Sequence, residues 1–262
     1  MHKLLVLDMD DTFLDSRKVI LEPVEQGIRK LLYKGINVTF ASGRFPASLW
    51  LHAEFLGIRF PLIALNGAAI VDPITGSPLE TFPIESEASA KIAQYAEDLG
   101  VYVQFYGYNN LFVNEINDLN RQWPLKNVVM NPDRELTFDN YRGQANFISL
   151  KSVGNMAKYV KDIRPMMLKA AVIDENKEAV DKAYREMMTW QELTVTRTGP
   201  LRFDINGRGT SKKSALEKIC HERGISAQEV VAVGDFDNDM EMIQWAGRGV
   251  AMGNGNRNVK QA

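Results

Sequence analysis

The 262-residue chain has one cysteine, Cys220, and three histidines, His2, His52 and His221. A single thiol cannot close an internal disulfide, so the count suits a reducing compartment. The histidines are scattered and show no metal-ligand spacing. Long apolar runs are also missing. Leu4-Leu5-Val6-Leu7 stops at Asp8, too short for the hydrophobic region of a secretory signal, and nothing approaches the roughly 20 apolar residues of a membrane span. Neither sign of charge dominates: 31 basic and 33 acidic residues leave a net charge of −2. Without a basic stripe or an acidic block, neither nucleic acid nor a membrane surface is an expected partner. Repeats, low-complexity tracts and Gly/Ser linkers do not occur. Together these absences give an expected cytoplasmic location. What remains, 45% hydrophobic and 24% charged residues, is the composition of an ordinary soluble globular protein.

Four apolar runs each end in a polar or glycine-bearing cluster. Leu4–Leu7 leads into Asp8-Met9-Asp10-Asp11-Thr12, Val38–Ala41 into Ser42-Gly43-Arg44, Leu62–Leu65 into Asn66-Gly67, and Val230–Val233 into Gly234-Asp235-Phe236-Asp237-Asn238-Asp239. Continuous apolarity predicts strands buried on both faces, as in a parallel sheet. Helical stripes lie between them: Val24, Ile28, Leu31 and Leu32 before Gly35, and Ala215, Leu216, Ile219 and Cys220 before Gly224. This alternation predicts a doubly wound α/β core. Ligands bind beyond the carboxyl ends of such strands, so the four clusters should share one crevice. From about Glu85 to Arg197 the pattern changes. A helix over 87–99, a hairpin of 101–106 with 111–113, strands at 147–150, 170–173 and 193–196, and helices over 155–163 and 177–190 predict a second α/β unit. The expected division is a core of residues 1–84 and 197–262 with an inserted domain of residues 85–196, crossing near Pro83–Ser86 and Thr196–Pro200.

Three carboxylates packed at Asp8, Asp10 and Asp11 repel one another unless a cation or a shared proton offsets them. A hard, oxygen-seeking ion such as Mg²⁺ does so. Alone, the cluster reads as a polar turn; the second cluster at Asp235, Asp237 and Asp239 favours the metal. Ser42-Gly43-Arg44, with a hydroxyl and backbone N–H groups at a helix start, suits a phosphate. Lys212 opens a helix, and Asn66-Gly67 signals a turn.

In this order the clusters resemble the haloacid dehalogenase superfamily of aspartyl phosphotransferases. Its Asp-x-Asp-x-Thr motif is matched by Asp8, Asp10 and Thr12, its Ser/Thr motif by Ser42, its Lys/Arg motif by Lys212, and Gly-Asp-x-x-Asn-Asp by Gly234, Asp235, Asn238 and Asp239. The insertion, with Asn66-Gly67-Ala68 and Gly253-Asn254, is similar to the Cof-type phosphatases and their large α/β cap. Asp11 stands where glycine is common, and Lys213 and Gly255 also depart from the pattern. The resemblance implies Asp8 as nucleophile and Asp10 as general acid and base. It implies Mg²⁺ on Asp8, the Asp10 carbonyl and Asp235, with Asp239 nearby. Ser42 and Lys212 would hold phosphoryl oxygens, and Thr12 would brace the loop. Gly43, Arg44, Asn66 and Asn238 are the further candidates for substrate contact. Because Asp10 must change protonation, its pKa is expected nearer working pH than that of Asp8.

The implied activity is Mg²⁺-dependent hydrolysis of small phosphorylated metabolites, sugar phosphates first, by a monomer or weak homodimer. A phosphomutase and a non-catalytic phosphometabolite-binding protein are the alternatives. The inserted domain would act as a lid. Its aromatics, Tyr102, Phe105, Tyr106, Tyr108, Phe112 and Trp123, are mostly expected in its core. Cys220, on an apolar helix face, is expected to be an inert core thiol.

Overall fold

Residues 2–123 and 147–261 are described in a computed structural model. The first segment runs through β1 (Leu4–Leu7), α1 (Glu22–Tyr33), β2 (Asn37–Phe40), α2 (Pro46–Leu56) and β3 (Leu62–Ala64), then β4 (Ala69–Val71) and β5 (Pro78–Thr81). Both helices start on a proline in the first turn, where its missing N–H costs nothing. Gly57 ends α2 in the left-handed conformation, which lacks a steric penalty only for glycine. The middle segment contains α3 (Ser86–Leu99), β6 (Val103–Tyr106), β7 (Asn110–Val113) and α4 (Asp118–Arg121). It continues with β8 (Ser149–Ser152), α5 (Met156–Ile163), β9 (Lys169–Ile173), α6 (Lys177–Met187), β10 (Leu193–Gly199) and β11 (Arg202–Gly207). The chain returns through α7 (Lys212–Glu222), β12 (Val230–Gly234), α8 (Met240–Trp245), β13 (Arg248–Ala251) and α9 (Arg257–Gln261). No helix among the described residues is long and apolar enough to cross a membrane.

The core sheet is four-stranded and parallel, in the order β13-β12-β1-β2. Ala41 bridges in parallel to Ile63, which brings β3 alongside β2. Leu4, Val6, Val38, Phe40, Val230 and Ala232 are buried in it, as the unbroken apolar runs require. A six-stranded mixed sheet, β10-β11-β9-β6-β7-β8, is formed by the inserted segment.

The expected return to the core at residue 197 is corrected by strand pairing. β10 runs on to Gly199, and β11 pairs antiparallel with β9 from Arg202↔Ile173 to Ile205↔Ala170, so the chain stays in the six-stranded sheet until Gly207. The strand expected at 147–150 forms two residues later, parallel to β7. The crossings also meet: a Cβ on Gly207 would lie 3.0 Å from the Pro83 carbonyl.

Alternation explains what β11 does. Phe203 and Ile205 point into the hydrophobic interior of the inserted unit, with Ile92, Phe105 and Val172. Asp204 and Asn206 point the other way and are equally buried, because that face lies against the core. Asn206 Nδ2 donates to the carbonyls of Leu65 and Leu168 at 3.0 and 3.1 Å. Phe45 and Tyr106 stack across the same boundary, ring centroids 4.9 Å apart.

Candidate active site

The strand ends converge as the apolar runs predict. Asp8 follows β1, Asp235 follows β12, and Asp239 closes a 3₁₀ turn over Asp237–Asp239. One carboxylate oxygen from each of these three lies within 4.8 Å of the others. Gly234 makes the turn possible, since a Cβ there would sit 2.4 Å from Asp239 Cγ. Asp239 is fully buried with both oxygens in use. Oδ2 accepts from the N–H groups of Asp235 and Phe236 at 3.0 and 3.1 Å, and Oδ1 accepts from Lys212 Nζ at 2.6 Å. Lys212, the first residue of α7, also donates to Asp8 Oδ1 at 2.6 Å. Thr12 Oγ1 donates to Asp235 Oδ1 at 3.3 Å.

Burial sets the charges here. It pushes the Asp8 carboxyl up to about 8, with Asp239 adding to the rise and Lys212 opposing it. Asp235 is raised to about 6, again chiefly by burial and then by Asp239. Lys212 is buried too, but the carboxylates of Asp239 and Asp8 outweigh that and hold its ammonium charged. Were all three acids ionised, their charge would exceed that of the one lysine, and a bound cation would offset the repulsion that raises Asp8 and Asp235.

Asp10 overturns the expected order of acidities. Arg44 grips it as a fork, Nη2 to Oδ1 at 2.6 Å and Nε to Oδ2 at 2.8 Å, and Lys18 adds a contact to Oδ1 at 2.9 Å. Burial favours the neutral acid, but these cations win and hold the carboxyl well below the usual range. Asp10, not Asp8, is therefore the more firmly ionised of the two. Arg44 could not be placed from sequence because its partner lies 34 residues away. Asp11, the departure from glycine, adopts φ +59°, the left-handed backbone that glycine would tolerate best. Asn254 Nδ2 holds its carbonyl at 2.7 Å.

Ser42 is buried just beyond β2, and its Oγ accepts from Arg44 N–H at 3.3 Å. Gly43 leaves room for Asn66, whose Oδ1 would lie 2.9 Å from a Cβ there. Asn66 sits at φ +58° with both ends of its amide bonded: Nδ2 donates to Asp204 Oδ2 at 2.8 Å and Oδ1 accepts from Asn238 Nδ2 at 3.2 Å. Asn66 thus ties the core to β11 and does not line the crevice. Lys169 completes the link, its Nζ donating to the Gly43 carbonyl at 2.9 Å and to Asp204 Oδ2 at 3.0 Å.

These groups enclose a cavity of about 420 Å³ lined by Asp8, Asp10, Ser42, Gly43, Arg44, Asp235 and Asn238 from the core. The inserted sheet contributes Tyr106, Lys169, Ala171, Ile173, Thr198, Arg202 and Asp204, joined by Trp123. Lys169, Arg202 and Asp204 were missed in the sequence. The alternation Arg202-Phe203-Asp204-Ile205-Asn206 was the available signal. Phe105 and Phe112 are core rings, as expected. Cys220 is buried and its thiol is pushed up to about 11 by that burial.

A model of the haloacid dehalogenase-like hydrolases matches residues 5–262. Phosphatase YwpJ of Bacillus subtilis (strain 168) is 26% identical over 98% of this chain and 92% of its own length. A haloacid dehalogenase-like hydrolase structure from B. subtilis superposes with a TM-score of 0.83 at 24% identity, covering 99% of this chain and 92% of that one. The HAD subclass IIB sugar phosphatase BT4131 gives a TM-score of 0.76 at 21% identity, over 99% and 90%.

Proposed function

The chain belongs to the haloacid dehalogenase-like hydrolases and is a phosphatase of that type, and from that premise we propose that it hydrolyses small sugar phosphates through an aspartyl-phosphate on Asp8. One observation carries the reading. Asp8 lines the cavity with Oδ1 held by Lys212, while Oδ2 takes no hydrogen bond from any described residue. A fixed carboxylate with one uncommitted oxygen is what in-line attack on phosphorus requires.

Oδ2 of Asp8 attacks the phosphoryl phosphorus and the sugar oxygen leaves. Water then attacks the acyl phosphate and returns Asp8 with inorganic phosphate. Asp10, kept ionised by Arg44, is ready as the base for that water. To act as acid in the first step it must enter that step protonated, so the Arg44 fork has to loosen and let Asp10 keep the proton it took from water in the preceding turnover. Ser42 Oγ and the backbone beside Gly43 receive phosphoryl oxygens. The all-oxygen donor set suits Mg²⁺: Asp8, Asp235 and the Asp10 carbonyl would hold it, with Asp239 behind them because both of its oxygens are taken. Bound there, the ion supplies charge neutralisation to the acids and the phosphoryl group. We take residues 86–207 as the cap and the cytoplasm as the place of action, with a monomer or weak homodimer as the working unit.

Phosphate release from p-nitrophenyl phosphate and a sugar-phosphate panel, with and without Mg²⁺, tests the reading. Asp8→Asn should abolish turnover while the far-UV spectrum stays native. Near-wild-type turnover in that variant overturns the nucleophile assignment, and an isomerised sugar phosphate without free phosphate overturns hydrolysis.

A further inference from the structure

Among the described residues four cations line the cavity, and three have acidic partners. Lys18 and Arg44 pair with Asp10 at 2.9 and 2.6 Å, and Lys169 pairs with Asp204 at 3.0 Å. The fourth, Arg202, has no carboxylate within ion-pair distance among the described residues. Its neighbour on the same face of β11, Asp204, is already held by Lys169 and Asn66.

The Arg202 side chain is nevertheless positioned. Its Nε donates to Thr198 Oγ1 at 3.2 Å, and its guanidinium carbon lies 6.0 Å from the centre of the Trp123 ring. Gly199 opposite leaves space for the stem, since a Cβ there would lie 3.0 Å from Arg202 Cγ. Neither Nη group donates to a described residue. An arginine held at Nε and over a ring, with its outer edge uncommitted, presents the fork that matches a carboxylate or phosphate. Asp8 and Arg202 line the same cavity from opposite units, and about 420 Å³ accommodates a small metabolite spanning them.

We infer that Arg202 determines substrate choice by binding a second anionic group, remote from the phosphate that is cleaved. Resting on the phosphatase reading above, this makes the preferred substrates sugar-acid phosphates or sugar bisphosphates. Neutral sugar monophosphates leave the Arg202 fork unmatched.

Matched pairs test it. 6-Phosphogluconate against sorbitol 6-phosphate differs by a carboxylate, and glucose 1,6-bisphosphate against glucose 6-phosphate differs by a phosphate. Wild type should show kcat/KM at least tenfold higher for the anionic member of one pair, and which pair responds identifies the group. In Arg202→Gln the loss on that anionic substrate should be at least five times the loss on its neutral partner, and should fall mainly on KM. Equal values within both wild-type pairs, or equal losses in the variant, overturn the assignment. Calorimetric binding to Asp8→Asn gives a readout independent of turnover. Tighter binding of the anionic member, lost in Asp8→Asn/Arg202→Gln, supports the assignment even if no substrate is hydrolysed, and equal binding overturns it. Failure to hydrolyse any compound, p-nitrophenyl phosphate included, counts against the phosphatase reading alone.

Discussion

Gly67 lies so close to Ser211 that a Cβ on it would stand 2.1 Å from the Ser211 carbonyl oxygen. Its φ of +98° is a further reason for glycine there. Ser211 caps α7, accepting from Ser214 N–H at 3.2 Å, and the next residue is Lys212. The turn after β3 therefore seats the helix that delivers the lysine. Gly67→Ala should cost on the order of 3 kcal/mol, from left-handed strain and a backbone clash together. It should also lower turnover more than any unfolding explains, because the helix start must shift. Urea denaturation with phosphate release at a temperature where the variant is folded separates the two. Unchanged turnover in folded variant would mean that Lys212 does not depend on this seat.

Lys212 is the only cation bonded to Asp8 and Asp239 among the described residues. Lys212→Met leaves two buried carboxylates facing each other, and should cost about 3–5 kcal/mol along with most of the turnover. A divalent cation should then substitute in part. Mg²⁺ is expected to raise the urea midpoint of the variant more than that of the wild type. A midpoint indifferent to Mg²⁺ in both proteins would argue against a metal between Asp8 and Asp235.

His52 makes acid stability testable. It is fully buried in α2, its Nδ1 faces the Ser48 carbonyl at 2.6 Å, and its Nε2 has no partner among the described residues. Burial, then the charge of Arg44, lowers its pKa from 6.5 to about 4. Between those values the unfolded chain takes up a proton that the folded chain refuses, so stability is full above pH 6.5 and falls as the medium is acidified. The loss over the window is about 3 kcal/mol. Urea midpoints from pH 7 to 4 should fall less steeply for His52→Phe than for the wild type. Parallel slopes would clear His52 of the effect.

The site was legible where chemistry is contiguous. Asp8, Asp10 and Thr12 fall within five residues, and Asp235, Asn238 and Asp239 within five more, each after an apolar strand. Their partners were not legible. Asp204 meets Asn66 across 138 residues and Lys169 across 35, and no local pattern announces such a pair. The acidity of Asp10 was misjudged for the same reason: its pKa is set by Arg44, whose reach is a property of the fold. The boundary at 197 failed differently. Asp204 and Asn206 interrupt the apolar residues of β11, so no continuous apolar run marks it as a strand, yet that polar face is buried against the core.

The meeting of the two crossings has a mechanical consequence. With Gly207 resting on the Pro83 carbonyl, both connections between the units pass through one place, so the inserted unit hangs as a door hangs from one hinge. Close to that hinge, Lys169 holds the Gly43 carbonyl and Asp204 holds Asn66. Swinging the door open must pull Lys169 off the very loop that carries Ser42. On the proposed cap reading, admission of substrate and shaping of the phosphate pocket would be one motion.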